Sequence, residues 1–164
     1  MDLFDTRGIT ATLINGSLTG LSGGAKTISY TSNPTFLING RFYTGDTCSG
    51  GALETLDEFT GAAYNALVNG QGSLFVFSWD TAGEWHVSQG PVVKTADVTN
   101  EKAAYEFPSI PNNQCPFAYV TISNAHATTT WTFGTANWNA ATLTIGTVVN
   151  CSMLPTQPLT AASA

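Results

Sequence analysis

Phe36-Leu37-Ile38-Asn39-Gly40-Arg41-Phe42-Tyr43 is the stretch that decides the fold class. Two β-forming runs meet at Asn-Gly, the dipeptide best suited to a type I′ hairpin turn, because Asn and Gly tolerate the positive φ that both central positions require. A two-residue loop sets Phe36 opposite Tyr43 and Leu37 opposite Phe42, which gives the hairpin aromatic and aliphatic cross-strand pairs. The same Leu-Ile-Asn-Gly recurs at Leu13 to Gly16, where Ile9, Ala11 and Leu13 alternate with Thr10 and Thr12. A strand and a second tight turn are expected there.

Working outward, Leu74 to Trp79 is rich in β-formers. It breaks at Asp80-Thr81-Ala82-Gly83 and resumes in Glu84 to Gly90, the pattern of a hairpin with a four-residue connection. Pro91, Pro108, Pro111 and Pro116 mark a stretch of interrupted ladder pairing. Further strands are expected over Phe117 to Ser123, Thr128 to Phe133 and Ala141 to Met153. In the last of these Leu143, Ile145, Thr147, Val149, Cys151 and Met153 share one face. Thr55-Leu56-Asp57-Glu58 reads as a capping box, and Leu53, Leu56, Phe59, Ala63 and Leu67 keep helical spacing up to Asn69-Gly70, so one short helix is expected over about residues 55–68. Gly61 inside it weakens it by about 1 kcal/mol relative to Ala. The sum is a mainly β chain: an antiparallel β-sandwich or barrel-like domain over residues 9–154, preceded by an N-terminal segment (1–8) and followed by an extended tail (155–164).

Charged residues make up 10% of the 164-residue chain, with five basic and eleven acidic side chains and a formal charge of −6. Thr, Ser, Asn and Gly stand where a typical surface carries ions. Hydroxyls and amides are far less costly to desolvate against a hydrogen-bonding partner than ions are, which suits a protein that works in contact with others. The basic residues are scattered, so no stripe exists to neutralise phosphates and nucleic acid is not an expected partner. No apolar run approaches the roughly 20 residues of a membrane-spanning helix, and the first residues lack the pattern of an export signal, so no membrane partner is expected.

Cys48, Cys115 and Cys151 are widely spaced with no Cys-x-x-Cys pair, which argues for small buried hydrophobes over a disulfide framework or a zinc site. His86 and His126 belong to no recognisable catalytic motif, and neither a nucleophile elbow nor a phosphate loop is present. Asp80 and Glu84 flank a turn and could imitate the paired carboxylates of a glycosidase, but acids between two strands are usually solvated turn residues. No catalytic residue, cofactor or metal is therefore expected. Trp79, Trp85 and Trp138, with Trp131, would form a sugar-stacking platform if exposed together; aromatic residues on strands are more often core or interface. Asn15-Gly16-Ser17 and Asn150-Cys151-Ser152 match a glycosylation sequon, which carries little weight without an export signal.

Several of these stretches together resemble small structural proteins of tailed bacteriophages: Phe36 to Thr44, Ser73 to Phe77 with Gln89-Gly90, Cys115 to Ile122, Trp131 to Trp138, and Val148 to Pro155. The resemblance spans about residues 9–158. It implies a virion component, most similar to a capsid decoration (cement) protein that is made in the host cytoplasm, binds the major capsid protein on the outer shell and associates as a homotrimer. No catalytic residues are implied by it. The contacts expected to serve that role are Leu3, Phe4 and Arg7 of the N-terminal segment and Leu154, Pro155 and Pro158 of the tail. The alternative is a carbohydrate-binding module or a tail- or fibre-associated adhesion protein carried by the particle, using the exposed aromatics named above.

Overall fold

The computed structural model describes residues 8–140 and 142–158. Eleven strands and one short helix lie among them: β1 (Ala11–Ile14), β2 (Thr27–Tyr30), β3 (Thr35–Ile38), β4 (Arg41–Thr44), β5 (Cys48–Ala52), β6 (Gln71–Asp80), β7 (Trp85–Gln89), β8 (Val93–Lys94), α1 (Thr95–Thr99), β9 (Gln114–Asn124), β10 (Leu143–Ile145) and β11 (Val149–Asn150). Every pairing is antiparallel. The largest sheet runs β10-β9-β6-β7, with β11 on β9 and β8 on β6; β1-β3-β4 and β2-β5 form two smaller sheets.

β6 is buried at every position from Gly72 to Trp79, so both of its faces are covered and its sequence reads as a nearly continuous apolar run. Phe75, Phe77 and Trp79 enter the main core, while Leu74 and Val76 enter a second, smaller one. The smaller sheets close the main core from above, sending in Phe36 and Ile38 from β3 and Ile28 and Tyr30 from β2. Behind the large sheet, Tyr105, Phe107, Ile110, Val149, Cys151 and Leu154 pack against Leu74, Val76 and Tyr119. The result is a mainly β, sandwich-like architecture.

The Asn39-Gly40 hairpin forms as its sequence requires: both residues take positive φ (52° and 75°), Phe36 pairs with Tyr43 and Leu37 with Phe42. Asn15-Gly16 does not make a turn of this kind. Gly16 is spent on a close approach, because a Cβ there would lie 2.9 Å from the Tyr30 ring, and the Asn15 amide donates to the Phe117 carbonyl at 2.6 Å. Pro116 sits inside β9, where it faces Ser78 at a bulge between Phe77 and Ser78. A bulge is one of the few places a strand accepts a residue without an N–H. It also swings Phe117 onto Trp79, with ring centroids 3.8 Å apart and planes 10° from parallel.

The expected helix over residues 55–68 is absent; the one helix is α1, elsewhere in the chain. Asp57 is the reason. Its Oδ1 accepts the Thr60 N–H and hydroxyl, its Oδ2 accepts the Gln89 N–H of β7 at 2.6 Å, and Gly61 then turns the chain at φ 66°. Leu56 bridges Ala63 and Leu67 bridges Trp131, leaving Leu56 and Phe59 more than half exposed while Tyr64 and Leu67 are buried. Residues 128–133 contribute one bridge and no strand, since His126 Nδ1 accepts the Thr128 and Thr129 N–H groups and bends the chain. The closing run is two strands out of phase. Gly146 lies against Thr121, where a Cβ would meet the hydroxyl at 2.4 Å, and beyond it Val148 still faces the main core while Val149 and Cys151 face the second.

Candidate functional site

Two features of the surface stand out. The first is the outer face of β1-β3-β4. Ala11, Leu37 and Phe42 lie in one cross-strand row, and because Phe36, Ile38 and Thr12 point inward, that row points out. Phe42 is 62% exposed and Ile9 66%, and a bulge between Thr12 and Ile14 leaves Leu13 and Ile14 more than half exposed as well. Across residues 8–15 and 35–44 the only charged residue is Arg41. Met153, also exposed, follows Ser152, whose carbonyl accepts the Thr12 N–H at 2.8 Å.

The second feature is an ionic cluster at the β7 edge of the large sheet. His86 on β7 points its Nδ1 at Glu54 Oε1 (3.0 Å) and Glu58 Oε2 (3.2 Å), and its Nε2 at Asp80 Oδ2 (3.6 Å). The hydrogen bond to Glu54, reinforced by the charges of Glu54, Glu58 and Asp80 against the opposing effect of burial, raises the imidazole from its ordinary value to about 9. Each partner is held in turn. Asp80 Oδ1 accepts the Ala82 and Glu84 N–H groups at 2.8 and 2.9 Å. Glu58 Oε1 accepts from Gln114 Nε2 at 3.0 Å, and Gln114 Oε1 accepts the Ser78 hydroxyl at 2.5 Å; Gln114 and Ser78 are both buried. Glu54 Oε2 is buried with no hydrogen-bond partner among the described residues. Beside the cluster a groove of about 890 Å³ is lined by Tyr30, Asp46, Cys48, Glu54, Glu84 and Trp85 among others.

The sequence placed its candidate residues differently. Trp79 and Trp138, expected to be exposed aromatics, are buried, at 0% and 3%. Trp79 is sandwiched in the core between Phe36 and Phe117, and Trp138 packs on Trp131 and Phe133 while its indole N–H donates to the Thr27 carbonyl at 2.9 Å. Trp131 is buried too, which leaves Trp85 as the one partly exposed indole, so no platform of stacked rings is formed. Leu3, Phe4 and Arg7 lie outside the described residues. Leu154, Pro155 and Pro158 are half-buried, Leu154 against the second core. Asp80 and Glu84 do come together, but with His86 as their centre. Glu54 and Glu58, which reach His86, and Gln114, which reaches Glu58, carried no local signal for the cluster, because they meet only once the chain has folded.

Comparison of the chain with models of protein families, with curated proteins and with solved structures finds no match.

Proposed function

We propose that this protein is a capsid decoration protein of a tailed bacteriophage, a non-enzymatic component that seats on the outer shell and ties copies of the major capsid protein together as a homotrimer. The observation that carries this reading is the uncharged apolar face of β1-β3-β4, which no other described residue covers. Apolar patches this concentrated mark interaction surfaces on proteins of this size. A chain of formal charge −6 meets a partner with least repulsion through the face that has no acid on it. The hydroxyl- and amide-rich remainder of the surface favours many weak contacts multiplied by symmetry over a single tight pocket. The sequence resemblance to phage structural proteins supplies the partner.

The test is occupancy on particles that lack the protein. The parent chain is expected to saturate the shell, and the Leu13→Asp/Phe42→Asp double variant to lose at least tenfold in apparent affinity while keeping its circular dichroism spectrum and its mass in solution. Undiminished occupancy by a folded double variant overturns the assignment of this face. A monomeric parent chain by light scattering overturns the homotrimer.

A further inference from the structure

We infer that Glu54, Glu58 and the Nδ1 atom of His86 form a site for a divalent transition cation of the Zn²⁺ type. The three ligand atoms all lie within 4.8 Å of one another, close enough to share one ion. Around an ion with ligands at about 2.1 Å, neighbouring ligands lie about 3.4 Å apart in a tetrahedron and about 3.0 Å apart at right angles. Here the imidazole nitrogen is 3.0 and 3.2 Å from the two carboxylate oxygens. A hydrogen on Nδ1 can be aimed well at only one of those oxygens, whereas a cation attracts both.

Three further observations fit an ion better than a bare hydrogen bond. Glu54 Oε2 is buried with no partner among the described residues, and a carboxylate that binds a metal through both oxygens would satisfy it. The outer partners are those that ligands need. Gln114, anchored by Ser78, fixes the Glu58 carboxylate, and Asp80, anchored by two backbone N–H groups, faces the far nitrogen of the imidazole. Such partners hold a metal-bound ring in its tautomer and orientation. Finally, no lysine or arginine among the described residues pairs with Glu54, Glu58 or Asp80, so three carboxylates are balanced by one imidazole. Imidazole with carboxylates suits zinc and its neighbours better than calcium or magnesium. His86 and the two glutamates remain partly accessible, which leaves room for water to complete the shell.

The site does not depend on the shell-docking role and is measured on the isolated chain. Chelator-stripped protein titrated with ZnCl₂ in a calorimeter is expected to bind one ion per chain. Its melting midpoint should rise by about 8 °C at a hundredfold excess over Kd. Glu54→Gln and Glu58→Gln, each retaining the parent far-ultraviolet spectrum, should each weaken binding at least tenfold, and Glu84→Gln, on the opposite side of the ring, by less than threefold. Absence of binding heat and of a melting shift at 1 mM ZnCl₂ overturns the site. So does zinc binding that survives both glutamate substitutions, or that is lost with Glu84→Gln in their place.

Discussion

His86 is the residue on which most of the polar organisation turns. With no metal bound, its imidazole is raised to about 9, chiefly by the hydrogen bond to Glu54. A raised value on a base means the folded chain binds a proton that the unfolded chain releases near 6.5. The stabilisation is therefore complete below about pH 6.5 and is lost as pH climbs through about 9. In chelator-treated protein the denaturant midpoint is expected to fall over that window, and His86→Gln to flatten the fall; an equally steep slope in the variant would dissociate the effect from His86. The thiols behave otherwise. Burial pushes Cys151 up to about 11 and Cys115 upward as well, so both stay protonated at neutral pH; Cys115 is the buried hydrophobe expected, whereas Cys151 and Cys48 are half-buried. The burial of Cys115 was legible from three cysteines without metal spacing. The environment of His86 was not, because two of its partners, Glu54 and Glu58, come from a distant segment, and a one-dimensional pattern carries no information on which loop will lie over which strand edge.

At the scale of elements, what was legible followed from local stereochemistry. Asn39-Gly40 fixes its hairpin because the two residues relieve the backbone strain of the turn by themselves. Residues 55–68 show the opposite case, where helical spacing and a capping box lose to tertiary demand. β7 is an edge strand, and open edges invite pairing with other chains. The segment covers it: the Glu58 N–H and the Tyr64 hydroxyl both donate to the Val87 carbonyl, Gln89 exchanges side-chain hydrogen bonds with Asn65, and Asp57 takes the Gln89 N–H. A helix could not offer these groups to one strand. Asp57→Ala is expected to lower stability by about 1–3 kcal/mol, the effect of leaving a partly buried N–H without an acceptor. Faster amide exchange at Gln89 would locate the loss, and unchanged exchange there would place it elsewhere.

Across the whole molecule, the mainly β class was readable from alternation and turn residues, whereas the division into one central sheet and two small ones was not. The long continuous burial of β6 does not alternate, and nothing local says which strands will cover its two faces. The core they enclose is rich in aromatic rings. Trp79 alone touches Tyr30, Phe36 and Phe117, and Phe75 and Phe77 both meet Phe133. Phe117→Ala removes the ring that lies flat on Trp79 at the bulge and is expected to lower stability by about 3–5 kcal/mol, read from urea unfolding followed by tryptophan fluorescence. A loss below about 1 kcal/mol would mean that the neighbouring rings close over the vacancy.

The backbone contact between Thr12 and Ser152, with Asn150 accepting the Leu18 N–H and Asn15 reaching Phe117 and Cys151, ties residues 12–18 to residues 150–152. During synthesis the first strand emerges long before the residues that will flank it. The early hairpin therefore stays open-faced until residues 149–152 have been made, so this part of the fold closes late in synthesis and is paired across more than a hundred residues of sequence.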